Sequence, residues 1–354
     1  MLSWFRASGW QVALSSPGLI ASQMLKRLQG KDGIYAINSE RLIKLLDKHA
    51  SEKLDHGNPD APRSAKWIEE KALSNEIDRI IKEDSLHFDK EHYLRRLLEK
   101  KVLGLGLQLH CPVCLRWMWK SVEQLSANIE CEQCLSTFPI ALTPKNEREW
   151  SYKPTGPFNV RGFGGGAYPV LLSWKFFTGS HRRNTTPLLS FTAKKNDIDC
   201  EIDLALFCQD GQWHSERNEL LLVECKAYDN FKSIDIRRME SLASEFPGAI
   251  IVFSKLGEQL DSSEVKLLTT IALKQRRLWL SQKPHCIVMV LTGAELFSTW
   301  GAPECWKDKS GEAYKRWSHV NSLAELAEAT QDIYLGIPSL HRWAEARVRK
   351  PGKV

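Results

Sequence analysis

Cys111-Pro-Val-Cys114 and Cys131-Glu-Gln-Cys134, spaced C-x2-C-x16-C-x2-C, constrain this chain more than any other feature. Each C-x2-C turn aims two thiolates at one point, and a tetrahedral ion takes two such turns brought together by a short hairpin. The spacing predicts a Zn²⁺ ribbon over residues 104–150, with strands drawn from the intervening RWMWKSVEQLSANIE. Disulfides or plain buried thiols are the alternative, and a chain without secretory character has little use for disulfides. Four thiolates close the coordination shell, so the expected metal is structural. Cys200, Cys208, Cys225, Cys286 and Cys305 show no such pairing and are expected as buried thiols. Arg116, Trp117, Trp119 and Lys120, beside the first knuckle, either touch nucleic acid or pack the ribbon's small core.

A chain of 354 residues implies two or three units. Residues 1–103 read as a helical domain from the apolar spacing in LIASQMLKRL, SERLIKLLDKHA, SNEIDRIIKE and DKEHYLRRLLEKKVL. A helical docking module is preferred there, with a winged-helix-like arrangement as the alternative. The polar, proline-bearing SEKLDHGNPDAPRS reads as a loop within it. After the ribbon, residues 151–300 alternate helix and strand. Helices are expected at AYPVLLSWKFF, IDIRRMESLASEF and SSEVKLLTTIALKQRRLWL, and strands at LLSFTA, EIDLALFC, NELLLVEC, GAIIVFS and HCIVMVLT. Residues 301–354 read as a C-terminal helical segment with a basic tail. The fold class is therefore α/β with an N-terminal helical domain and a small ribbon.

Hydrophobic content of 43% beside 26% charged residues argues against disorder. There is no run of eighteen apolar residues, and MLSWFRASGWQVALSS lacks the continuous apolar stretch of a secretion signal. A cytoplasmic protein with no membrane partner is expected. The net charge of +6 permits nucleic-acid binding without requiring it. Local clusters are more pointed: His181-Arg182-Arg183, Lys194-Lys195, Lys274 with Arg276-Arg277, and the tail from Arg342 to Lys353. Each is weighed evenly between solvated surface and phosphate contact.

The strand LLVECK ends with two charges, Glu224 and Lys226, on one face, because side chains two apart on a strand project together. Burying an ion costs several kcal/mol unless it is compensated. The preceding strand carries Glu201 and Asp203 at the same spacing, and QDGQWHSERN between them reads as a hairpin connection. Symmetric pairing about that connection sets Cys208 opposite Glu219, Asp203 opposite Glu224 and Glu201 opposite Lys226. Opposed carboxylates repel, and two of them with an ammonium alongside can hold Mg²⁺ or a similar hard ion and orient a water. An ordinary buried ion-pair cluster is the alternative.

This arrangement of an acidic residue, a hairpin and Glu224-Cys225-Lys226 resembles the PD-(D/E)xK nuclease superfamily, with its restriction-endonuclease-like fold. The resemblance covers about a third of the chain, from Tyr168 to Ser254. It implies a mixed sheet flanked by helices, metal-dependent phosphodiester hydrolysis with Mg²⁺ or Mn²⁺, and nucleic acid, DNA first, as the partner. Asp203 and Glu224 would bind the metal, the Cys225 carbonyl would assist, and Lys226 would position or polarise the water. Many members carry an acid on the first core helix, which AYPVLLSWKFF lacks, so either Glu201 substitutes for it or the site holds a single ion. The ribbon followed by GAYPVLLSW, VECKAYDNF, FPGAIIVFSKL and VMVLTGAELF also resembles a group of bacterial nuclease-like proteins. A role in defence against foreign DNA or in DNA processing, with a protein partner in a multi-component system, follows by analogy.

Weaker motifs remain. RGFGGGA could approach a phosphate through its backbone amides, but a flexible linker is preferred. Arg237 and Arg238 either meet a phosphate near the site or form a solvated helix face. His181, His214, His285 and His341 are scattered singly. Two non-enzymatic readings stand against the nuclease: an inactive nuclease fold retained as a DNA-binding or adaptor protein, and a regulator whose working part is the ribbon.

Overall fold

The computed structural model describes residues 1–50, 67–84, 89–142, 148–179, 184–196, 198–209, 218–307 and 311–348. The loop expected at SEKLDHGNPDAPRS, the His181-Arg182-Arg183 cluster, His214, most of the 209–218 connection and the end of the basic tail lie outside the described residues. The molecule is mixed α/β and divides into two compact units, Met1–Ser22 with Gly166–Val354, and Gln23–Gly165. This partition differs from the four consecutive segments expected. The reason is a short edge strand near residue 12, together with a ribbon that continues a sheet shared with helices.

The chain opens with α1 (Leu2–Ala7), β1 (Gln11–Leu14) and α2 (Ser16–Leu28). Next come α3 (Glu40–His49), β2 (Ile68–Glu69), α4 (Glu70–Glu83) and α5 (Lys90–Glu99). Caps set two of these starts: the Ser39 side chain accepts the Leu42 N–H before α3, and Asp89 accepts the His92 N–H at 2.7 Å before α5. Leu42, Ile43 and Leu46 of α3, Leu73, Ile77 and Ile80 of α4, and Tyr93 and Leu97 of α5 form the buried stripes that their spacing predicts. The expected helix at DKEHYLRRLLEKKVL stops at Glu99, and β3 (Leu103–His110) begins directly after. The ribbon follows as β4 (Trp117–Ser121), β5 (Asn128–Glu130) and β6 (Thr137–Pro139), before β7 (Glu149–Pro154). One sheet runs β2-β7-β3-β4, and β5 pairs with β6 separately.

The glycine-rich run is a built turn. Residues Gly162 to Gly166 all have positive φ, including Phe163 at 56°, so α6 (Arg161–Gly165) winds left-handed. Glycine accepts that conformation freely, whereas Phe163 does so at a cost. The Phe163 N–H donates to Asp47 Oδ1 at 2.5 Å and Arg161 Nε to the Ala50 carbonyl at 2.8 Å, which anchors the turn.

The other unit holds α7 (Ala167–Gly179), β8 (Thr185–Lys195), β9 (Ile198–Gln209), β10 (Asn218–Lys226), α8 (Ser233–Glu245), β11 (Ile250–Lys255), α9 (Ser262–Leu280) and β12 (Ile287–Leu291). It ends with α10 (Gly293–Leu296), α11 (Gly311–Trp317), α12 (Leu323–Leu335) and α13 (Leu340–Val348). Its sheet runs β1-β8-β9-β10-β11-β12, antiparallel up to β10 and parallel from β10 to β12. β11 is buried throughout, the mark of a strand covered on both faces. Ile236, Met239 and Leu242 of α8 with Leu268 and Ile271 of α9 pack on Leu222, Ile251, Phe253 and Val288. α7 is buried along its length from Ala167 to Phe177 and packs against β8 to β11. Cys200, Cys208, Cys225 and Cys286 are buried thiols as expected, while Cys305 is only partly covered.

Candidate functional site

The expected register between β9 and β10 is present. Cys208 stands opposite Glu219, and the ladder runs from Asn218↔Gln209 to Val223↔Leu204. It stops one step short of Asp203 and Glu224. There the Asp203 side chain accepts a hydrogen bond from the Cys225 backbone N–H at 2.7 Å, so a carboxylate continues the bonding where the strand carbonyls leave off. The expected pairing of Glu201 with Lys226 is not formed. Glu201 lies opposite Thr192 on β8, and Lys226 lies beside Lys255 on β11.

Glu224 is 1% exposed, and two cations meet it. Lys226 Nζ lies 3.0 Å from Glu224 Oε1, and the Arg238 guanidinium contacts Glu224 Oε2. The same two cations meet Asp235 Oδ1, Lys226 at 3.0 Å and Arg238 at 3.4 Å. The result is a closed ring of alternating charge, Glu224–Lys226–Asp235–Arg238. Asp235 is held from the other side, its Oδ2 accepting the Lys232 N–H at 2.8 Å at the start of α8. Sequence reasoning missed Asp235, and it set a phosphate contact near the site against a solvated helix face for Arg238, preferring the latter. Arg237 is the exposed one of the arginine pair. The available signal was an acid in the first turn of the helix that follows the strand end, with an arginine one turn on at i+3.

Burial is the largest influence on both carboxyls. It pushes Asp203 up to about 6, with Glu201 adding to the rise and the Cys225 N–H, Arg238 and Lys226 opposing it. Burial and then Asp203 push Glu224 up to about 8, against Arg238 and Lys226. For Lys226, burial works against the charge, but Glu224 and Asp235 outweigh it and hold the ammonium above its usual value. Asp235 stays below the usual carboxylate range: burial opposes its charge, and the Lys232 N–H and Lys226 more than offset that. Glu201 Oε1 is buried with no hydrogen-bond partner among the described residues. The Cys225 thiol lies 3.7 Å from Ser173 Oγ on α7, and burial keeps it protonated. Only its backbone is available to the site. No acid of α7 enters the cluster, where the residue reaching β10 and β11 is Ser173, 2.6 Å from Ser254 Oγ.

The four ribbon cysteines form the second site. Each knuckle sits in the turn of a hairpin and repeats the same bonds. Cys111 N–H donates to Arg116 O and Leu115 N–H to Cys111 O, while Cys131 N–H donates to Ser136 O and Leu135 N–H to Cys131 O. Leu115 and Leu135 take matching left-handed φ of 55° and 57°. The four sulfurs lie within 4.8 Å of one another, with Cys111 to Cys134 and Cys114 to Cys131 both at 3.7 Å. A tetrahedron with zinc–sulfur bonds of about 2.3 Å has edges of about 3.8 Å, whereas a disulfide needs about 2.05 Å. The group fits a tetrahedral ion such as zinc. Leu109, Met118, Ile129 and Phe138 pack beneath it. Arg116 bonds Gln133 and Lys120 pairs with Glu132, so both basic groups beside the first knuckle are engaged within the ribbon. Among the described residues, this is the group in which three or more Cys, His, Asp or Glu ligand atoms lie within 4.8 Å of one another, and the carboxylates around Asp203 form no such group.

No family model matches the chain, and neither does any curated protein or solved structure.

Proposed function

We propose that the chain is a metal-dependent nuclease of the PD-(D/E)xK type, with Asp203, Glu224 and Lys226 as its working residues and DNA as its substrate. The observation that carries this reading is that Asp203 and Glu224 both stand one step beyond the last pair of the β9–β10 ladder, near enough for Asp203 to raise Glu224, with Lys226 Nζ 3.0 Å from Glu224. The order of α7, β8, β9, β10, α8 and β11 agrees with the core that this superfamily implies. The donor set suits a hard ion. Two carboxylates raised by burial, Asp203 further by Glu201 and Glu224 further by Asp203, gain from a cation, and the buried Glu201 Oε1 has no hydrogen-bond partner among the described residues. Asp203, Glu224 and the Cys225 carbonyl would hold it, and Mg²⁺ or Mn²⁺ bound there supplies Lewis acidity toward water and a phosphate oxygen.

The chain's own part is positioning. An ammonium has three N–H donors, and Lys226 directs two toward Glu224 and Asp235. One donor is left for a phosphate oxygen or the attacking water. Asp235, fixed by the start of α8, sets where it points. Arg238, partly exposed beside Glu224, adds a second positive group where phosphate charge would develop.

One observation favours the non-catalytic alternative. The ring of Glu224, Lys226, Asp235 and Arg238 balances its own charge once Glu224 is ionised, as a structural ion-pair cluster does. The test is cleavage of labelled single- and double-stranded DNA by purified protein with Mg²⁺ or Mn²⁺ and with chelator. Cleavage that needs the ion supports the nuclease; nucleic-acid binding without ion-dependent cleavage supports the scaffold.

A further inference from the structure

Glu224 carries two cations, and they are held differently. Lys226 comes from the same strand, and its Nζ lies 3.0 Å from Glu224 and 3.0 Å from Asp235. Arg238 reaches Glu224 from α8 through a single nitrogen: Nη2 contacts Glu224 Oε2 and lies 3.4 Å from Asp235 Oδ1. The strong hold of an arginine on a carboxylate is the two-pronged one, with parallel N–H bonds. Arg238 does not make it with Glu224, and its Nε is buried with no hydrogen-bond partner among the described residues. A buried donor without a partner costs stability, so charge is what keeps the guanidinium in place.

That charge bears on the acids assigned to the ion. Burial raises Asp203 and Glu224, and among the positive charges opposing the rise, that of Arg238 comes ahead of that of Lys226 at both. The Arg238 side chain also has a way out, being 27% exposed where Glu224 is 1% exposed. We infer that Arg238 is an exchangeable counter-ion: it balances Glu224 until that carboxylate goes to a divalent ion, and it then turns outward to a substrate phosphate. The guanidinium is repelled by a divalent ion on the same carboxylate and is attracted by phosphate, with which arginine makes the two-pronged bond it lacks here. Ion and phosphate thus favour the same displaced arrangement, and by linkage each raises the affinity for the other. The inference rests on the ion site proposed above but not on cleavage.

The test is calorimetry of Mg²⁺ binding to the full chain above about pH 8, the value to which Glu224 is raised, so that protons do not compete. Arg238→Gln should bind Mg²⁺ roughly tenfold or more tightly than wild type, because a positive charge beside the ion is gone. Arg238→Lys keeps the charge and should stay within about threefold of wild type. Arg237→Gln, at the exposed neighbour, should change the affinity less than about twofold. Thymidine 5′-monophosphate offers a phosphate but no phosphodiester bond to cleave. It should tighten Mg²⁺ binding roughly threefold or more in wild type and much less in Arg238→Gln. Equal Mg²⁺ affinity in wild type and a folded Arg238→Gln overturns the inference and leaves the ion site standing, as does an Arg238→Lys that binds as tightly as Arg238→Gln. The wild-type response to nucleotide needs no variant, and its absence overturns the inference even where Arg238→Gln fails to fold. Tighter binding by Arg238→Gln with no cleavage of DNA by wild type upholds the inference and removes the nuclease reading. Absence of Mg²⁺ binding in both proteins removes both.

Discussion

Asp203 accepts the backbone N–H of Cys225 at 2.7 Å, one step beyond the last paired residues of β9 and β10. A side chain thus does at the strand end what a carbonyl does along it, and it sets a carboxylate near enough to Glu224 to raise it. The bond also fixes Asp203 without using up its charge, since one carboxylate offers about four acceptor positions.

Asp235→Asn should slow cleavage while leaving divalent-ion affinity nearly unchanged. Asp235 touches Lys226 and Arg238 but is not placed to bind the ion, so its loss frees Lys226 to shift. Single-turnover rates should fall by roughly 10²-fold, the scale of misplacing one catalytic group, with little change in substrate affinity. Asp235→Glu should restore part of the rate. A drop in Mn²⁺ affinity equal to that of Glu224→Gln would show that Asp235 is a ligand instead.

The pH dependence has a defined sign. Glu224 is raised from 4.5 to about 8 and Asp203 from 3.8 to about 6, so the folded chain holds both protons more tightly than the unfolded chain does. Their contribution to stability is therefore full below about pH 4 and is lost as pH rises through 6 and 8. Ion binding needs the ionised forms, so Mn²⁺ affinity should climb over the same interval. Thermal melting in chelator should show a decline of wild type toward pH 9 that Glu224→Gln reduces. An identical pH profile for the two proteins would contradict the shift.

Much of this was legible in the sequence, and the omissions have physical causes. Hydrophobic runs and polar connections marked β8 to β12 and α7 to α9 closely, and the symmetric register across the 209–218 connection placed Cys208 opposite Glu219. The cysteine spacing located the ribbon. By contrast, Gln11–Leu14 carries no signal of its own, because an edge strand of this length is defined by its partner, here β8. Asp235 and Arg238 enter the site only when α8 docks on β10, a tertiary event that one helix's periodicity does not encode. The Glu201–Lys226 pairing failed because Lys226 found nearer carboxylates on its own strand and on α8.

The ribbon should carry about one zinc per chain. Cys111→Ser or Cys131→Ser should release it and unfold the ribbon, since bound zinc contributes on the order of 10 kcal/mol to small cysteine domains. Elemental analysis of protein prepared without chelator checks this, and metal-free protein with an intact, protease-resistant ribbon would contradict it.

The most direct measurement compares cleavage of a 5′-labelled DNA duplex in Mg²⁺ by wild type, Asp203→Asn and Glu224→Gln, with circular dichroism confirming that each is folded. The two changes keep size and most hydrogen bonding but remove the charge that would hold the ion. Wild type should cleave, and each variant should lose at least 10²–10³-fold in rate, the scale set by removing one preorganised electrostatic partner. Cleavage by both variants at the wild-type rate would place the active site elsewhere and leave the Glu224 cluster as a structural ion pair.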